Sequence, residues 1–155
     1  MLYLYLRYGI FYSPIPATFF RSAPAITEDE KVSLSPQDIH SYRVDDSLTV
    51  ILTSEIAHGA TGVAHRGTLN VDDMDGSMPL DVVVKLAFDS EQRDAFRHEY
   101  EMYRLLRLKG VVKGIKTVLG FFDDLEGGAC ALVMLYAGVS LRAEQALSLS
   151  ERCVL

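Results

Sequence analysis

The sequence predicts an α+β fold: a five-stranded antiparallel sheet with one main helix packed on it. Three observations carry that expectation. Short apolar, β-branched runs recur between turn signals, which is the pattern of strands joined by hairpins. One long amphipathic stretch, residues 89–108, interrupts them once and has helical periodicity. Hydrophobic residues make up 49% of 155, enough for the packed core of one domain.

Residues 1–25 read as an aromatic-rich extension in which Leu2, Leu4 and Leu6 alternate with tyrosines and suit a short strand. Residues 26–47 read as a polar linker, with Glu28, Asp29, Glu30, Ser35, Pro36, Asp45 and Asp46. The dense pattern follows, over 48–155. Residues 48–53 are a β-branched strand, 57–62 a turn of small residues, and 63–69 the returning strand of a hairpin. An acidic connection leads to 81–88, so uniformly apolar that burial on both faces is expected.

Asp89 and Gln92 have capping-box character and open the helix. Phe96, Tyr100 and Tyr103 form its apolar stripe, which Met102, Leu105 and Leu106 widen, and Gly110 ends it. Strands at 117–122 and 130–136 flank a polar turn at 123–128. Gly138 opens a bend, and Ser148 with Glu151 starts a further helix.

The net charge of −6 and pI of about 5.1 argue against broad nucleic-acid binding, which needs a basic face, but leave room for a single nucleotide. No run approaches the length of a membrane span, and Arg7 interrupts the apolar opening where a signal peptide would not. Cys130 and Cys153 form no disulfide framework or redox motif, so a reducing, cytoplasmic setting is expected. The histidines have no ligand-like spacing, and no metal or nucleophile constellation emerges.

Three features have chemical potential, each with two readings. Gly59 and Gly62 either serve turn geometry or let the backbone approach a phosphate, with Ala57, Ala60 and Thr61 also small. Lys85, amid Val82, Val83, Val84 and Leu86, is either an edge lysine that discourages aggregation or a core cation in need of a counter-charge. Glu99 falls on the apolar stripe of the helix and is either that counter-charge or a border residue paired with Arg97 or Arg104.

In their order, these segments resemble the N-terminal lobe of the eukaryotic protein kinase superfamily. The matching pieces are Ile56-Ala57-His58-Gly59-Ala60-Thr61-Gly62-Val63-Ala64, Val83-Val84-Lys85, Glu99 with Met102 and Leu106, and Leu132-Val133-Met134-Leu135-Tyr136-Ala137-Gly138. The resemblance spans residues 48–155. It implies that Lys85 holds ATP phosphates while paired with Glu99, and that Met134 is the gatekeeper. It further implies that Leu135, Tyr136 and Ala137 present backbone to the adenine, with Ala64 and Val83 in its pocket. Ala57 replaces the first loop glycine, Thr61 the tip aromatic, Ala64 the usual valine and Leu135 a common acidic residue. The interval from Lys85 to Glu99 is shorter than the family's usual one.

Neither an H-R-D nor a D-F-G segment occurs, so no catalytic residue is expected in this chain, nor Mg²⁺ without a second lobe. Asp123-Asp124 precedes a glycine turn but reads as a loop on the wrong side of the sheet. The expectation is the ATP-binding half of a kinase-like domain. Its parent would transfer phosphate to protein Ser/Thr, whereas this chain alone is inactive and binds nucleotide weakly. The alternatives are a non-catalytic interaction module, with a protein partner on the apolar surface facing the second lobe, or an incomplete gene model.

Overall fold

A computed structural model describes residues 2–8, 17–23, 26, 47–71, 79–111, 115–124 and 128–138. Most of the linker and everything after Gly138, including the helix expected at Ser148, lie outside the described residues. The described elements are β1 (Tyr3–Tyr8), β2 (Ala17–Ala23), β3 (Ser47–Gly59), β4 (Gly62–Val71), β5 (Leu80–Ala87), α1 (Ser90–Leu108), β6 (Val118–Asp124) and β7 (Cys130–Leu135).

The seven strands form a closed barrel in the order β1-β2-β6-β7-β5-β4-β3. This corrects the open five-stranded sheet, and with it the kinase-type lobe as a fold class. β3 to β7 do pair antiparallel in the run β6-β7-β5-β4-β3, but β1 and β2 bridge the two edges that an open sheet would leave. β1 runs parallel to β3, with Tyr3 opposite Ser47 and Tyr8 opposite Leu52. It pairs antiparallel with β2, which in turn pairs with β6. The barrel is therefore mixed.

Unpaired edge amides and carbonyls are the physical reason for closure, since a barrel removes edges altogether. Apolar burial drives it as well: Leu4 and Leu6 are fully buried, and Leu2 and Phe19 nearly so. All four join Leu48, Val50, Leu52, Val82, Val84, Leu86, Phe122 and Val133 in the barrel interior. Burying one such side chain is worth about 1.5–3 kcal/mol.

The second core lies outside the barrel wall, under α1. β5 shows the division, because successive side chains point to opposite faces. Val82, Val84 and Leu86 enter the interior, while Val83 and Ala87 join Phe96, Tyr100, Phe121, Cys130, Leu132 and Met134. The expected burial of β5 on both faces thus has two separate causes, the barrel lumen and the helix.

Asp89 caps α1, its carboxylate accepting from the Gln92 amide at 2.8 Å. Gly110, at φ +76°, follows the C-terminal turn in the left-handed conformation that ends helices. Arg93 and Arg97 both reach Asp123, at 3.2 and 3.6 Å, and Arg97 also lies over the Phe121 ring. Asp123 therefore belongs to β6 and anchors the helix, rather than to the loop expected there. The apolar stripe is also narrower than expected: Met102 and Leu105 are exposed, and the helix buries Phe96, Tyr100 and Arg107.

Candidate functional site

The outer face of β4, β5 and β7 carries the charged and apolar residues singled out in the sequence. In the antiparallel registers Ala64 lies opposite Lys85, and Lys85 opposite Leu132. In the adjacent row Arg66 lies opposite Val83, and Val83 opposite Met134. Directly opposed residues share a face, so Ala64, Arg66, Val83, Lys85 and Met134 form one surface.

Lys85 and Glu99 meet on it. The ammonium donates to both carboxylate oxygens, at 2.6 Å to Oε1 and 2.8 Å to Oε2. Their side chains are 26% and 27% exposed, so the pair is largely withdrawn from solvent but reachable. Tyr103, one helical turn on, donates its hydroxyl to Glu99 Oε1 at 3.0 Å. Burial, and then the nearby Glu99 charge, push the Tyr103 phenol up to about 12. Phe96 lies beneath the ammonium, 5.9 Å from ring centroid to Nζ. An ammonium has three donors; Glu99 takes two directions, and no third acceptor stands among the described residues. The two bland readings, an edge lysine and a Glu99 paired with Arg97 or Arg104, do not describe this geometry: Arg104 pairs with Glu101 instead.

The glycine turn is a projecting flap. β3 continues to Gly59, well past the strand expected at 48–53, and pairs with β4 as far as Gly62. Only Ala60 and Thr61 form the turn. Residues 53–59 are all exposed, and two bulges increase the twist of the arm. The two glycines have different roles. Gly62 has φ +119°, and a Cβ there would lie 2.3 Å from the Leu86 carbonyl oxygen and 3.1 Å from the Phe96 ring. Packing therefore requires it. Around Gly59 there is open space, room that an approaching ligand could use. The tip is tied to the start of α1, where Gln92 donates to the Ala60 carbonyl at 3.2 Å.

At the other end of the face the chain leaves β7. Met134 is fully buried. Leu135 turns to the barrel side, packed against the interior. Its amide donates to the Thr117 carbonyl, and the Tyr136 amide to the Asp81 carbonyl, both at 2.9 Å. Those two amides, expected to serve an adenine edge, are thus engaged within the fold. Ala137 lies exposed beyond β7, and Ala57 lies exposed within β3 on the flap.

Sequence reasoning missed three participants. Arg66 donates through Nε to Asp81 Oδ1 at 3.0 Å, makes a second bond to Oδ2, and lies with its guanidinium carbon 4.1 Å from the centroid of the Tyr136 ring. Asp81 is held below its usual carboxylate range by that bond to Arg66. Tyr103 is the third. The signal for Arg66 and Asp81 was opposite charges at diagonal positions on neighbouring strands, visible only once the register is known.

Two further titratable groups are shifted by burial away from the Lys85–Glu99 pair. Burial, with the nearby Asp123 charge, pushes the Cys130 thiol up to about 11, the behaviour of a core cysteine. Burial also lowers the His65 pKa, with Glu55 opposing; its ring meets Tyr8 edge-on, 6.4 Å between centroids. Among the described residues no helix is long and apolar enough to cross a membrane. No family model, curated protein or solved structure matches the chain.

Proposed function

We propose that this chain binds a nucleoside triphosphate, with Lys85 holding the phosphates on the outer face of β5 next to the glycine flap. The observation that carries the reading is the pair of short bonds between Lys85 and Glu99. A carboxylate fixed by Tyr103 holds the ammonium in place, so little side-chain entropy remains to be lost when an anion meets its third donor. Open space at Gly59 and the small residues of the flap support close approach of a phosphate chain. Ala64, half-buried opposite Lys85, supplies apolar surface beside it.

The resemblance of the strand lysine, helix glutamate and glycine turn to the kinase set supports ATP as the nucleotide. This residue set by itself supports binding without transfer, because it holds no base for the acceptor and no metal-binding carboxylate of that set. The test is fluorescence titration of a trinitrophenyl-ATP analogue. Saturable binding by the wild-type chain, weakened at least tenfold in Lys85→Met, is expected. Equal binding by Lys85→Met, or none by the wild type, overturns the reading.

A second reading, a protein-interaction module, is favoured by one observation: Met102, Leu105 and Leu108 are 44%, 44% and 55% exposed along α1. Sedimentation over a range of concentrations tests it. Self-association that Leu105→Glu abolishes supports it, and a concentration-independent monomer counts against a self-associating surface.

A further inference from the structure

We infer that Arg66, backed by Tyr136 and clamped by Asp81, is the stacking platform for the nucleotide base. The inference rests on the triphosphate reading above and extends it from the phosphates to the base. Arg66 is one row away from Lys85 on the same face: Ala64 opposes Lys85, and Arg66 opposes Val83. Two residues along a strand span about 6.6 Å, so the platform and the ammonium sit at neighbouring positions along one line, as the two ends of a nucleotide require.

The guanidinium is fixed in its plane. Two bonds to Asp81 set the edge, and the Tyr136 ring backs one face at 4.1 Å. Asp81 is itself at the start of β5, and its carbonyl accepts from the Tyr136 amide at 2.9 Å, so all three parts of the clamp are braced against one another. The side chains of Arg66 and Asp81 are each 44% exposed, so the clamp is reachable from solvent. A planar, delocalised cation held in this way is a surface on which a base stacks, and stacking discriminates little among bases. Lysine, a point charge without a plane, does not substitute for it.

The test compares ATP with inorganic tripolyphosphate, by calorimetric titration on the full chain. The wild type is expected to bind ATP about tenfold more tightly than tripolyphosphate. Arg66→Ala and Arg66→Lys should both bring ATP down to the tripolyphosphate level while leaving tripolyphosphate affinity within about twofold. Lys85→Met should weaken both ligands. If Arg66→Lys, which keeps the charge, also keeps the full preference for ATP, the platform is overturned while phosphate binding stands. Unchanged ATP affinity in Arg66→Ala has the same consequence. Failure of the wild type to bind either ligand overturns the underlying triphosphate reading and the platform with it.

Discussion

The two faces of the barrel wall are built from the same strands and differ in one respect. The inner face is dominated by apolar side chains: Leu4, Leu6, Val50, Val82, Val84, Phe122 and Val133 show no more than trace exposure, and His65, opposite Val84, is a polar residue on it. The outer face of the same β4, β5, β6 and β7 carries Lys85 with Glu99, Arg66 with Asp81, and Asp123 with two arginines. On β5 the change of character occurs from one residue to the next, between Val84 and Lys85. The inside therefore supplies stability, and the outside is where the fold can place charge, because α1 and the neighbouring strand β5 bring partners there without full loss of solvent.

The largest effect should come from breaking the inner face. Phe122→Ala leaves a cavity in the closed lumen, and urea unfolding should show a loss of about 3–5 kcal/mol. A loss under about 1 kcal/mol would mean that the lumen collapses readily and is not the rigid half of the molecule.

The outer face should respond in the opposite direction at one site. Arg107 is buried on α1, and none of its three guanidinium nitrogens has a hydrogen-bond partner among the described residues. A buried charge without a partner is costly, so Arg107→Met should stabilise the fold by about 1–4 kcal/mol in the same assay. Destabilisation would show that the guanidinium has an anionic partner in solution.

Gly62 sharpens the comparison at the point where the flap meets both faces. Gly62→Ala puts a Cβ against the Leu86 carbonyl at a φ that L residues avoid, and should cost about 1–3 kcal/mol. Gly59→Ala, with open space around it, should fall well below that. Equal effects in thermal unfolding would remove the distinction between a packing glycine and an approach glycine.

The smallest effect concerns the Tyr103 hydroxyl. Its pKa is raised from 10.0 to about 12 in the folded chain, so the neutral phenol is favoured by folding. That contribution is complete below pH 10 and lost as pH rises toward 12. In a difference titration at the tyrosinate absorbance, wild type minus Tyr103→Phe, one phenol should ionise near the top of that window. Ionisation near pH 10 would mean that the hydroxyl faces solvent and does not brace Glu99.

Much of the local structure was legible. Among the described residues from 48 onward, strand and helix positions followed from short-range periodicity and from turn and cap residues, as with Asp89 and Gln92, except that β3 runs on to Gly59. The pairing of Lys85 with Glu99 was legible as a need: a cation in an apolar run and a carboxylate on an apolar stripe each require a partner. The sheet's closure was not. Leu2, Leu4 and Leu6 advertise a strand, yet nothing in their alternation says that it lies parallel to β3 or that β2 joins β6.

By itself, the sequence determined most of the extended stretches, though not β2 or the flap end of β3, and where α1 starts and stops. These are matters of nearest-neighbour sterics, capping and period. Only the tertiary structure decided that the sheet closes, which amides of the chain after Met134 are already engaged, and that Arg66, Asp81 and Tyr136 converge. Those depend on register between strands distant in sequence, and register is settled by the filling of a shared lumen and the satisfaction of edges, which no local segment encodes.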